Sequence, residues 1–191
     1  MRRARPASVG VPVLLALLVA LVGGLVGGCS PDPSADGRLR VAATLRPWAD
    51  LARTIGGDRV VVTDASGGPG SDPHLFSPDA RTAAAVASAR VVVENGAGLD
   101  AWADELTGGD GRDRRVVSAA DALGATATGV DPHLWFDLDG LPRVARAVAA
   151  AFTDADPAGR TAYHAGLDRF LRDLAPAAAR EVAEERSEEH T

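Results

Sequence analysis

The sequence has no lysine. Its 20 basic residues are all arginine and face 26 acidic ones, which leaves a net charge of −6. No basic patch stands out, and this balance argues against a nucleic-acid surface. The exclusive use of arginine, with abundant Ala and Gly, reads as genome base composition. Cysteine occurs once, at Cys29, so the chain has no disulfide framework. Aromatic residues are only 4% of the total, so each tryptophan weighs more as a marker of the core. An HExxH pair is also missing, and no Glu adjoins either of the two Asp-Pro-His motifs. A zinc-dependent hydrolase needs such a general base at its bound water, which makes that reading the weakest of those open.

At the N-terminus, Arg2, Arg3 and Arg5 precede an apolar run over residues 9–26, which closes in Val-Gly-Gly-Cys at 26–29. Small residues before a cysteine resemble the bacterial lipobox. That resemblance implies a signal peptide at 1–28, cleavage before Cys29 and lipidation of Cys29. A plain transmembrane anchor is the alternative, since the run is nearly long enough to span. Residues 29–38 are rich in Pro, Ser and Asp and suit a short tether.

A βα rhythm follows. Leu39–Ala43 reads as a strand. Trp48, Leu51, Ala52 and Ile55 recur at the spacing of an amphipathic helix, with Pro47 in its first turn and Gly56-Gly57 at its end. Val60, Val61 and Val62 form a second strand whose continuous apolar run suits a sheet covered on both faces. Ser77 is the expected cap of a helix over 79–89, with Pro78 as its first residue. A third strand is expected at 90–94 and a fourth at 115–118. Helical spacing recurs at Leu99, Trp102, Ala103 and Leu106, and again from Leu141 to Phe152. From Asp156 a longer stripe carries Tyr163, Leu167, Phe170, Leu171 and Leu174, with Pro176 as a point that kinks or ends it. The fold class is therefore α/β: a lobe over 39–155 with a four-stranded parallel sheet flanked by helices, then the start of a long helix at 156–186. The tail at 187–191 falls outside the pattern. The charged run EVAEERSEEHT brings no further strand or cap. It reads either as a solvated helix end or, preferentially, as a frame cut short.

The most distinctive feature is a repeated motif, DPHLFS at 72–77 and DPHLWF at 131–136. Asp-Pro restricts the backbone before each histidine, and the following Leu and aromatic residue can anchor the turn. Ligands of parallel sheets bind beyond the carboxyl ends of the strands. His74 follows the second strand directly, and His133 follows the fourth by a longer connection. Two rigidly presented imidazoles are what a borderline transition-metal ion needs, so His74 and His133 are expected to meet at one metal. Asp72 and Asp131 either orient the rings or only cap the turns. Trp135 walls the pocket or anchors the core. Trp48 and Trp102 are expected in the core, His164 in solvent, and Glu94 at solvent or beside an arginine. His190 receives no role.

These residues resemble a known family. The stretches VAATLRPWADLARTIGGDRV, SDPHLFSPDARTAAAVASARVVVENGAGLDAW and DPHLWFDLDGLPRVARAVAAAFTDADPAGRTAYHAG look like those of the solute-binding lipoproteins of zinc and manganese ABC importers. The resemblance implies two α/β lobes joined by a rigid helix, with the metal between them. It carries two ligands of the first lobe onto His74 and His133, and assigns a His or Glu and an Asp to a second lobe. It also implies Zn²⁺, alternatively Mn²⁺, as the ion, an ABC permease as partner, and a monomer lipid-anchored on the extracytoplasmic face of the cell membrane. A metal-buffering or adhesin lipoprotein of the same fold stays open beside it. Many zinc-binding members carry a His-rich loop before the second motif. Here that loop, GATATG at 124–129, contains no histidine.

Overall fold

A computed structural model describes residues 37–188 except 69, 109–112 and 128, with side chains described to residue 180. The expected signal peptide, Cys29, most of the expected tether, most of the loop after residue 108 and the last three residues lie outside the described residues. Four parallel strands, β1 (Leu39–Ala43), β2 (Val60–Asp64), β3 (Val91–Glu94) and β4 (Arg115–Ser118), form one sheet in the order β2-β1-β3-β4. Strands of one direction need crossovers. The helices supplying them are α1 (Arg46–Gly56), α2 (Ala80–Ser88) and α3 (Trp102–Thr107). After β4 come α4 (Ala119–Leu123), α5 (Leu141–Ala155) and the long α6 (Arg160–Glu188).

The alternation of side chains along β1 and β3 sorts the core into two layers. Leu39, Val41, Ala43, Val91 and Val93 face one side, where Trp48, Ile55, Val148, Phe152 and Tyr163 of α1, α5 and α6 bury against them. Ala42 and Val92 face the other side and meet Val86, Ala89, Trp102 and Leu106. Trp48 is fully buried, whereas Trp102 is half-buried and meets the tilted ring of Phe76 with centroids 5.3 Å apart.

Several expectations are corrected. β2 is an edge strand, and Val61 and Val62 are only half-buried. The expected cover on both faces is therefore only partial, because a strand at the edge has fewer neighbours to shield it. The cap of α2 is Asp79, not Ser77. Its carboxylate accepts from the Thr82 N–H at 2.8 Å and the Thr82 hydroxyl at 3.1 Å. Those bonds hold the Asp79 carboxyl below its usual range. Leu99 belongs to the turn before α3, where Leu99 N donates to Gly96 O. α4 was not foreseen, although Ser118 caps it and Gly124, at φ 71°, ends it. Pro176 does not end α6.

The start of α6 is fastened to the lobe by one carboxylate. Asp156 Oδ2 accepts from Arg59 Nη2 at 2.8 Å and from the Tyr163 hydroxyl at 2.7 Å. Burial first, and then the hydrogen bond to Asp156, push the Tyr163 hydroxyl up to about 12. One helix turn on, Gly166 faces the end of α1. A Cβ at this position would collide with the backbone carbonyl of Ile55. The stripe that predicted this helix therefore has a gap where two backbones touch.

Candidate metal centre

Both Asp-Pro-His motifs fold in the same local way. Asp72 Oδ1 accepts from the His74 backbone N–H at 2.9 Å, and Asp131 Oδ1 accepts from the His133 backbone N–H at 3.0 Å. Each is an Asp side chain bonding the backbone two residues on, the local contact that shapes an Asx turn. The prolines supply the extended entry on which those turns depend.

The two turns bring His74 and His133 together. Their Nε2 atoms are 3.3 Å apart, with ring centroids 5.3 Å apart and planes inclined by 59°. Two nitrogens bound to one tetrahedral ion at about 2.05 Å each stand about 3.3 Å apart. The pair therefore has the spacing of two ligands of a single ion. Among the described residues no group of three or more His, Cys, Asp or Glu is gathered as a metal shell.

The two aspartates differ in their second task. Asp131 Oδ1 also lies 2.6 Å from His133 Nδ1. With Nδ1–H donating to that carboxylate, Nε2 is left as the lone-pair nitrogen and points at His74. The His133 backbone N–H, then its ring, hold the Asp131 carboxyl below its usual range. Among the described residues the Asp72 carboxylate reaches only the backbone N–H of His74. The sequence left orienting and capping open for both residues. Asp131 does both, and Asp72 caps.

The anchors of the two turns also differ. Leu134 is buried, and half-buried Trp135 both packs on the core and meets the His133 ring edge-on at 5.3 Å. In the first motif Leu75 is 82% exposed, contrary to expectation, and Phe76 is the anchoring residue through its contact with Trp102. Phe136 is 69% exposed in the second. His164 lies on the exposed side of α6, in a shallow groove with Arg146, Asp154 and Asp168, as expected of a solvated side chain.

One residue that positions the site was missed. Asn95, fully buried after β3, accepts from Trp48 Nε1 at 3.1 Å and donates to Pro132 O at 2.9 Å. It thus ties the core to the peptide unit just before His133. Asp100 holds the Asn95 turn by accepting from Asn95 N, Gly96 N and Thr44 Oγ1. Gly96 has φ 73°, and a Cβ there would press on Ser118 and Ala120. The Asn-Gly pair was legible as a turn, but its reach across the sheet was not.

The division of labour between the aspartates has a measurable consequence. Asp131→Asn is expected to weaken zinc binding about 10–100-fold, because the imidazole loses its orienting carboxylate. Asp72→Asn should weaken it several-fold less. A competition titration against a chromophoric chelator reads both, and equal losses would contradict the assignment.

Residues 41–188 match the family described as zinc-uptake complex component A, periplasmic. The manganese-binding lipoprotein MntA of Bacillus subtilis (strain 168) is 30% identical over 157 residues, covering 77% of this chain and 51% of MntA. The solute-binding protein FpvC of P. aeruginosa, solved in complex with Ni²⁺, has 26% identity and a TM-score of 0.67, covering 76% of this chain and 54% of FpvC. Zn(II)-bound AdcA of Streptococcus pneumoniae, at 18% identity and a TM-score of 0.65, covers 73% of this chain and 31% of its own and shares the fold. The chain spans about half the length of the curated relatives it matches. With a family match running from β1 through α6, the chain belongs to the zinc-uptake complex component A family.

Proposed function

We propose that the chain is the metal-receiving lobe of an extracytoplasmic lipoprotein that captures Zn²⁺, alternatively Mn²⁺, and delivers it to an ABC permease. The observation that carries this reading is the 3.3 Å approach of His74 Nε2 and His133 Nε2. The ion is cargo. Imidazole without thiolate gives binding that is firm and still releasable, and a protonated imidazole cannot ligate, so uptake weakens in acid. The pair by itself favours zinc by the usual order of divalent affinities. The remaining coordination positions are filled from outside the described residues. Cys29 carries the lipid anchor, the protein acts as a monomer, and it catalyses nothing.

Leu75 and Phe136, in the same two motifs as the histidines, are exposed apolar side chains, consistent with a site that closes against another surface. A metal buffer or adhesin of the same fold is separated from a transport receptor by uptake of labelled zinc and manganese. Deleting the gene should lower uptake in cells with the permease and change nothing in cells without it. An effect of equal size in permease-deleted cells would overturn the receptor reading.

A further inference from the structure

Glu94 does not fit the metal site, nor does it sit where the sequence placed it. It ends β3, an inner strand, and is only 8% exposed. Its Oε2 has no hydrogen-bond partner, so it meets neither solvent nor an arginine. An unsatisfied buried carboxyl oxygen is costly, and native structures keep few of them.

Glu94 lines a cavity of about 510 Å³ beyond the ends of β3 and β4, together with Asp100, Asp104, Ser118, Asp121 and Thr126. The carboxylates come from separate elements: Glu94 from β3, Asp100 from the turn after it, Asp104 from α3 and Asp121 from α4. Asp100 is saturated by Thr44 Oγ1, Asn95 N and Gly96 N. Asp104 and Asp121 are exposed at the cavity rim. Among the described residues no arginine or histidine lines this space. Burial first, and then the charges of Asp100, Asp104 and Asp121, push the Glu94 carboxyl up to about 7. Four acids thus converge on one space without a counter-charge, and Glu94, buried like Asp100, keeps an oxygen without a partner.

We propose that this cavity is a second ligand site, which binds a small organic cation bearing a guanidinium or primary ammonium group. Glu94 accepts the cationic head at the floor, and Asp104 and Asp121 flank its stem at the rim. A bare metal ion is a poorer match. Divalent cations held by oxygen need six or more ligands at about 2.0–2.6 Å, and no three of the described acids gather as a metal shell. A guanidinium is planar and carries five donors, so it bridges carboxylates that stand further apart. The site is separate from the histidine pair, and its test does not depend on transport.

The cation competes with the proton on Glu94. Affinity therefore rises with pH through about 7 and levels off above it. Asp100, Asp104 and Asp121 are the other titratable groups facing Glu94.

The test is isothermal titration of the full chain with agmatine at low ionic strength. At pH 8 the expected result is saturable one-to-one binding, weakened about tenfold or more at pH 5.5. Glu94→Gln should lower the affinity at pH 8 about tenfold and abolish its pH dependence. Asp104→Asn and Asp121→Asn, at exposed positions, should each weaken it several-fold and keep the test decisive if Glu94→Gln does not fold. Asp168→Asn, away from the cavity on α6, should leave it unchanged. The proposal is overturned by an absence of saturable binding at pH 8, by wild-type affinity in the cavity variants, or by Ca²⁺ displacing agmatine at lower concentration.

Discussion

Zinc affinity falls about a hundredfold or more when either His74 or His133 is replaced by alanine. Loss of a group that merely orients a ligand already costs about 10–100-fold, and loss of the ligand itself costs more. The double replacement should lose little beyond either single one. The reason is geometric. Two imidazoles held 3.3 Å apart act as one chelating unit, and once one is gone the other is a lone side chain competing with water. Both positions tolerate truncation. His74 is exposed and His133 half-buried, and the turns depend on the Asp side chains and the backbone N–H groups, which alanine retains. His164→Ala is the matched control, since His164 lies on α6 away from both motifs. Competition titration with a chromophoric chelator gives the affinities, and circular dichroism shows whether the fold is kept. Fully additive losses would mean that the two rings do not share an ion.

The second large effect concerns stability, and its sign separates two principles. Gly166→Ala replaces a helix-interior glycine, and intrinsic propensity alone favours alanine by about 1 kcal/mol. The position is nevertheless where α6 lies against the carbonyl of Ile55, and the atom that would be struck is backbone. A backbone contact cannot be relieved by a rotamer change, so the two helices must separate. Overpacking of this kind costs about 1–3 kcal/mol, and the nearby packing of Tyr163 and Leu167 on the core loosens with it. A net loss of about 2 kcal/mol is expected, read as a fall in Tm of roughly 6 °C for a domain of this size. A rise in Tm would show that the close approach of α1 and α6 is not a constraint. Ala165→Gly, at an exposed neighbouring position, gives the reference for propensity alone.

These two predictions draw on features of unequal legibility. The Asp-Pro-His repeats could be read directly, because local chemistry makes each turn: proline before, an Asp side chain folded onto the backbone two residues later. The four strands and the stripes of α1, α5 and α6 were legible for the same reason, since their periodicity belongs to one segment. Wherever the deciding partner is remote, the sequence was silent or misleading. The Val-rich β2 looks like a strand covered on both faces, yet at the edge of the sheet Val61 and Val62 stay half-buried. Asn95 looks like a turn residue, yet it reaches Trp48 and Pro132, which lie 47 and 37 positions away. Glu94 looks like a strand end near solvent, yet it is enclosed by acids from the following turn, α3 and α4. The gap at Gly166 is invisible until α1 lies across it. The cap at Asp79 is a different failure. Ser77-Pro78 and Asp79 offered competing local signals, and the Thr82 backbone N–H and hydroxyl, both within reach of Asp79, decided between them.

The central claim is that His74 and His133 bind one ion together. Zinc-edge X-ray absorption on the full chain, loaded with one equivalent of Zn²⁺, tests it most directly. The account predicts two imidazole nitrogens at about 2.0 Å from the metal in the wild type and one in either alanine variant. An imidazole count that is unchanged in the His74→Ala, His133→Ala double variant, or a wild-type shell made of oxygen alone, would contradict it.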